Sequence, residues 1–290
     1  MSPTPGPSPA SRGEGEIATL IFNVIQDVRA RHPDRPPALI GVSGAQGCGK
    51  THVCALLEAA NRPRFAHFSL DDVYLTKAER IWRADNISSF TATRDQDGKF
   101  DVGHVARPMI EQLLLVRGPP GTHDLSFAQR LIAQLGQAKP TALPRFDKVI
   151  DDRAPESEWP TFNGPAEAIL IDGWCLGAAP VAFREPINDV ERDDIGGIWR
   201  RETEMQLRKK YIRFFASFDA IVYLQAPNWK IVRKWRGQQE EQTLGRKLTA
   251  EEDAKLDRFL MFYERITKSM MAGNHSATHV VKLDERRQPL

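Results

Sequence analysis

The chain has 290 residues, is 41% hydrophobic, and carries 40 Lys and Arg against 38 Asp and Glu, a formal net charge of +2. That is enough apolar material for a sizeable core, and the charge balance excludes a nucleic-acid binder working through a broad basic surface. The three cysteines, Cys48, Cys54 and Cys175, have neither metal-ligand spacing nor the pairing of a disulfide framework. No apolar run approaches the roughly 20 residues of a membrane span. Residues 1–16, MSPTPGPSPASRGEGE, lack the apolar stretch of a signal peptide and read as a disordered tail. The expectation is a soluble, cytoplasmic protein with one folded domain over residues 17–290.

Ile17, Leu20, Ile21, Val24, Ile25 and Val28 recur at helical spacing. Residues 32–37 break that helix. The run from Ala38 to Ser43 reads as a buried strand entering a glycine-rich loop, and residues 51–60 read as the helix leaving it. Further short apolar runs at 65–70, 168–171, 220–224 and 279–283 read as strands. Helical patterns fill 105–116, 125–135, 198–215 and 250–271. Strands alternating with helices predict an α/β fold with a mostly parallel five-stranded sheet and helices on both faces. Polar residues follow the strands, at the ends where open α/β sheets bind ligands. The irregular, proline-rich span 119–165 is too long for a plain connection and reads as functional.

The loop Gly44-Ala45-Gln46-Gly47-Cys48-Gly49-Lys50-Thr51 matches G-x-x-x-x-G-K-[ST]. A nucleoside triphosphate needs several backbone N–H groups converging on its phosphates. Glycines let the backbone curl without Cβ clashes, and the following helix adds its N-terminal amides and dipole. Lys50 would neutralise the β/γ-phosphates and the Thr51 hydroxyl would join a Mg²⁺ shell. All eight residues are candidate nucleotide contacts, and the loop predicts ATP and Mg²⁺ as cofactors.

Asp71 and Asp72 follow the second strand, where an acceptor substrate would lie. A carboxylate there can accept a hydroxyl proton or order the metal shell, which is most of what phosphoryl transfer asks of a side chain. The ordinary alternative is a helix N-cap pair. Asp172 closes the third strand, as an acidic residue acting on Mg²⁺ would, or as a turn aspartate before Gly173. Arg233 and Arg236 lie three apart in K-I-V-R-K-W-R and are candidates for a basic lid over the phosphates, or for a solvated helix face. Cys48, near a helix N-terminus and a lysine, is expected to be the most alkylation-sensitive of the three cysteines.

With these residues placed, the chain resembles the D-glycerate 3-kinases of the P-loop type and their fungal kinase-like relatives. The segments that carry the resemblance are GAQGCGKT at 44–51, SLDDVY at 69–74, RGPPGTHDL at 117–125, LPRFDK at 143–148, DGWCLG at 172–177, LQAPNW at 224–229 and KLDERRQP at 282–289. It implies ATP-dependent phosphorylation of D-glycerate to 3-phosphoglycerate, and kinship with uridine, pantothenate and phosphoribulose kinases, in which the aspartate matching Asp71 acts as base. The chain departs at Asp172, where the family often has Glu, at Val73, where it commonly has Phe, and after Lys148. Glycerate offers a carboxylate for arginine or lysine and hydroxyls for histidine or aspartate. The acceptor candidates are therefore Asp72, Tyr74, His123, Asp124, Arg145, Asp147 and Lys148, with Asp124 equally readable as a helix cap. The roles expected are Lys50, Asp71, Arg233 and Arg236 in catalysis and Thr51, Asp71 and Asp172 at the metal. A kinase of another alcohol, such as a nucleoside or pantothenate, and a non-catalytic ATP-binding protein are the competing readings.

Overall fold

Alternating side chains decide the architecture. In β1 (Ala38–Gly44), Ala38, Ile40 and Val42 join one apolar cluster and Leu39 joins another. The strand Ala168–Gly173 divides the same way, Ala168 and Leu170 against Ile169 and Ile171. So does Ala220–Gln225, with Ala220, Val222 and Leu224 against Ile221 and Tyr223. Successive Cβ atoms point to opposite faces of a sheet, so strands apolar at every position must be covered on both. In the computed structural model, which describes residues 12–33, 37–90, 93–94, 100–101, 107–182 and 184–290, helices supply both covers.

The sheet contains β1, β2 (Phe65–Ser69), β3 (Ala168–Gly173), β4 (Ala220–Gln225) and β5 (His279–Lys282). All neighbouring pairs are parallel and the spatial order is β5-β4-β1-β3-β2. One face is covered by α1 (Arg12–Arg31) and α2 (Lys50–Ala60), through Ile21, Ile25, Val53 and Leu57. The other is covered by helices that include α3 (Lys77–Phe90), α4 (Arg107–Leu115) and α5 (Leu125–Leu135), through Ala84, Ile110, Leu114, Leu131 and Leu135. Beyond α6 (Asp189–Asp193) the chain runs through α7 (Ile198–Gln206), a π-helical turn over Leu207–Tyr211 and α8 (Ile212–Phe215). After β4 come α9 (Trp229–Leu244) and α10 (Ala250–Met271). Trp235 of α9 is fully buried beneath the glycine loop's side of the sheet.

The five strands and the parallel order follow the sequence reading. Its tail does not: α1 starts at Arg12, so residues 12–16 are helical, and residues 1–11 lie outside those described. Val105 and Ala106, read as the start of a helix, also lie outside the described residues. The pattern at 198–215 is helical but interrupted by the π turn. Helix α3 gave no stripe because two of its apolar residues, Ile81 and Trp82, are exposed. The irregular span holds α5 and two antiparallel pairs, 140–142 with 161–163 and 146–147 with 152–153. Among the described residues no helix is long and apolar enough to cross a membrane.

Candidate active site

The glycine loop follows β1 at the centre of the sheet, and a cleft of about 610 Å³ opens beside it. Gly47 and Gly49 need to be glycine. Both have left-handed backbones, φ 76° and 94°, and a Cβ on Gly47 would meet the Trp235 backbone at 2.8 Å. Gln46, Gly47, Gly49, Lys50 and Thr51 line the cleft. Gly44 ends β1, and Ala45 and Cys48 turn inward to the core. Lys50 Nζ lies 3.4 Å from the Ala45 carbonyl. All three cysteines are buried, and Cys48 packs into the core beneath the loop.

Next to the loop, Asp172 at the end of β3 is almost wholly buried and fully engaged. The Thr51 hydroxyl donates to its Oδ2 at 2.8 Å, Ser69 Oγ donates at 3.3 Å, and His67 Nε2 lies 2.8 Å from Oδ1. Hydroxyl and carboxylate oxygens from adjacent strand ends are the hard donors that suit Mg²⁺. His67 is a residue the sequence reading missed; a histidine within the apolar run of β2 is the one sign of it.

Asp71 and Asp72 divide the roles left open by the sequence. Ser69 and Asp72 form a capping box: Asp72 Oδ2 accepts from the Ser69 N–H at 3.0 Å, while Ser69 Oγ accepts from the Asp71 N–H at 3.2 Å. Burial pushes the Asp72 carboxyl up, against the pull of Arg145, whose Nη1 is 3.7 Å away. Asp71 faces the cleft. Its Oδ1 accepts from the Tyr74 hydroxyl at 2.8 Å and its Oδ2 from Lys148 Nζ at 3.0 Å. Burial opposes its ionisation, but Lys148, the Tyr74 hydroxyl and more distant charges outweigh burial and hold the carboxyl down at about 2.

Behind Tyr74 stands a stack of rings. His123 lies on Tyr74 with centroids 4.6 Å apart, and its Nδ1 is 2.6 Å from the Tyr211 hydroxyl. That hydroxyl also accepts from the Gly121 N–H at 2.9 Å, while His123 Nε2 is buried without a hydrogen-bond partner. Burial lowers the His123 pKa to about 4. The π turn in the 198–215 run carries Tyr211. His123 thus supports Tyr74 from behind and does not line the cleft, contrary to its expected substrate contact. Asp124 is a cap: it accepts from the Phe127 N–H at 2.8 Å and pairs with Arg153 at 3.3 Å. Asp147 accepts from the Val149 N–H at 2.7 Å within a turn.

Lys148 is positioned by a hairpin that four other charges fasten. Asp151, in a left-handed conformation with φ 57°, is held by buried Arg80 at 2.6 Å and by Arg117. Arg153 Nε donates to the Tyr74 carbonyl at 2.9 Å. On the far wall, Arg236 lines the cleft with Phe259 and Tyr263 and pairs with Glu240. Arg233 does not reach the cleft; it is bonded to Asp253 and Asp257 of α10, and its expected catalytic place is corrected accordingly. The aromatic wall from α10 escaped the sequence reading, because Phe259 and Tyr263 at i and i+4 look like core.

The 280-residue match to "Uncharacterized kinase mug58" of Schizosaccharomyces pombe is 25% identical and covers 89% of this chain and 92% of that protein. The chain is 27% identical over 278 residues to "D-glycerate 3-kinase, chloroplastic" of Arabidopsis thaliana, covering 89% of this chain and 55% of that protein. It is a homologue of these kinases. It thus spans about half the length of the Arabidopsis protein. The solved D-glycerate 3-kinase of Cryptococcus neoformans var. grubii superposes with a TM-score of 0.71 at 20% identity, over 97% of this chain and 98% of that one. The chain therefore shares the fold of that kinase, and in it the glycine loop, Asp172 and Asp71 lie at the C-terminal ends of β1, β3 and β2. No family model matches the sequence.

Proposed function

We propose that the protein transfers the γ-phosphoryl group of Mg-ATP to a hydroxyl of a small hydroxy acid, with D-glycerate as acceptor and 3-phosphoglycerate as product. The observation that carries this reading is the Asp71–Lys148 ion pair in the cleft beside the phosphate loop. It couples a proton acceptor to a cation able to bind a carboxylate. The homologues' names support the kinase class and, for two of them, the acceptor.

The residues account for the steps. The loop amides and Lys50 hold the β- and γ-phosphates, and Arg236 adds charge from the opposite wall. Thr51 and Asp172 would hold the Mg²⁺, which when bound neutralises charge shared by the β- and γ-oxygens. When an acceptor carboxylate enters, Lys148 and Arg145 are its available counter-charges. Drawing Lys148 off Asp71 removes the main cause of that carboxyl's low pKa and makes Asp71 a better base as substrate arrives. The acceptor oxygen then bonds to the γ-phosphorus, the bond to the β–γ bridging oxygen breaks, ADP leaves, and the hydroxyl proton passes to Asp71. A neutral acceptor, as in a nucleoside kinase, would not compete with Asp71 and Asp72 for Lys148 and Arg145.

A coupled ADP-release assay against hydroxy acids, nucleosides and pantothenate tests the proposal. D-glycerate should give the highest kcat/KM. Turnover confined to a neutral alcohol would reject the acceptor reading, and ATP binding without turnover of any acceptor would favour a non-catalytic protein.

A further inference from the structure

One histidine interrupts the apolar run of β2. Successive side chains of a strand alternate, so His67 shares a face with Ser69, two residues on. β2 pairs with β3 in register, His67 opposite Leu170 and Ser69 opposite Asp172. This is the face covered by α2, whose first turn carries Thr51. Three side chains from two elements therefore converge on one carboxylate.

They divide its two oxygens. Oδ2 takes both hydroxyls, Thr51 at 2.8 Å and Ser69 at 3.3 Å, and Oδ1 is left to His67, whose Nε2 is 2.8 Å away. A carboxylate accepts, so Nε2 is the donor of this bond. Among the described residues no other group bonds to Oδ1. Both side chains are largely buried. An imidazole there costs desolvation that an aliphatic side chain would not, and its bond goes to this carboxylate. The bond is not needed to join the two strands, because the parallel ladder from Phe65 to Ser69 already does so. Nor does His67 line the cleft.

A carboxylate turns easily about its last torsion, and Asp172 held through Oδ2 alone would present its oxygens in many arrangements. With both oxygens engaged the group has one orientation, and the Thr51 hydroxyl bonded to it shares that order. We propose that His67 is the positioning residue of the metal site: by donating to Oδ1 it locks the Asp172 carboxylate, and through it Thr51, in the arrangement that receives the cation. Partners that touch a metal ligand rather than the metal change metal affinity by roughly 10- to 100-fold. This inference rests on the kinase reading above and adds to it a residue that meets neither nucleotide nor acceptor.

Binding with and without the cation separates positioning from a merely structural role. Calorimetry on the full chain measures ATP affinity in excess Mg²⁺ and again in EDTA, for wild type, His67→Leu and His67→Gln, with thermal melts to check folding. Leucine keeps bulk and removes the donor; glutamine offers an amide N–H in place of Nε2. The ratio of the two affinities reads the metal site, and the EDTA value reads the phosphate loop. His67→Leu should lower the gain from Mg²⁺ about tenfold and leave the EDTA affinity within about twofold, while His67→Gln should keep most of the gain. If His67→Leu does not fold, His67→Asn, whose shorter amide falls short of Oδ1, takes its place with the same expectation. A gain equal to wild type in the donorless variant, equal weakening with and without Mg²⁺, or the same loss in His67→Gln would each overturn the proposal. Failure of the wild type to bind ATP in either condition would instead overturn the kinase reading. A wild type whose ATP affinity ignores Mg²⁺ would overturn the metal roles of Thr51 and Asp172, and this inference with them.

Discussion

The two halves of the cleft are built by opposite means. The phosphate half is one contiguous strand, loop and helix, with backbone as its main instrument and glycines, Gly47 and Gly49, at its left-handed positions. The acceptor half is assembled from segments scattered between Asp71 and Tyr211, held by side chains. Its left-handed residue is an aspartate, Asp151, kept there by Arg80 and Arg117. A backbone cradle serves any triphosphate and changes little. A half made of ion pairs can rearrange when a charged ligand competes for its partners, and the Lys148–Asp71 pair is where that competition falls.

Asp71→Asn gives the largest expected effect. Removing the proton acceptor should lower kcat by roughly 10²–10⁴ and leave Mg-ATP affinity nearly unchanged. Steady-state kinetics with thermal melts check it; a less stable variant with normal kcat would make Asp71 a structural cap like Asp72. Lys50→Ala breaks the other half. A loss of roughly 10²–10³ in kcat/KM for Mg-ATP is expected with the fold intact, and near wild-type kinetics in a folded variant would defeat the phosphate-loop assignment.

Smaller effects sharpen the division. On the proposed acceptor reading, Arg145→Ala should raise the acceptor KM about tenfold with little change in the ATP KM, since the acceptor carboxylate would lose one of its two proposed counter-charges. Arg233→Ala, which breaks pairs with Asp253 and Asp257 away from the cleft, should alter neither KM. If Arg233→Ala raised the ATP KM more than Arg145→Ala raised that of the acceptor, the placement of both would be wrong.

His123 tests the rigidity of the acceptor half through pH. Its pKa is lowered by burial from 6.5 to about 4, so the unfolded chain binds more protons between those values. Stability from this group is therefore complete above about pH 6.5 and falls as pH drops toward 4, by roughly 3 kcal/mol. Urea denaturation of wild type and His123→Gln at pH 7 and pH 4.5 should show a shallower pH dependence in the variant. Parallel losses in the two proteins would mean that His123 is not buried neutral.

Legibility in the sequence divides along the same line. The three central strands were readable because each is a near-continuous apolar run, and the phosphate loop because its chemistry is local. The roles of Asp71 and Asp72 could not be separated from sequence, since either can cap and only the fold shows which one faces Lys148. Arg80, Arg117 and Arg153 act across 71, 34 and 29 residues on Asp151 and Asp124, distances at which spacing carries no signal. Arg233 was misplaced because helical spacing puts it beside Arg236 but cannot say that α10 offers two aspartates to receive it. The roles of His67 and Tyr211 were hidden for a related reason: their partners, the Asp172 carboxylate and the His123 imidazole, come from other elements.

A crossed titration tests the division of the cleft most directly. Calorimetry would measure Mg-ATP and D-glycerate binding to wild type, Lys50→Ala and Lys148→Ala. Loss of a charged hydrogen-bond partner is worth about 10- to 100-fold in affinity. Lys50→Ala should lose that much for ATP and keep glycerate, and Lys148→Ala should lose it for glycerate and keep ATP. If Lys148→Ala weakened both ligands equally, or left glycerate binding intact, the separate acceptor half described here would not exist.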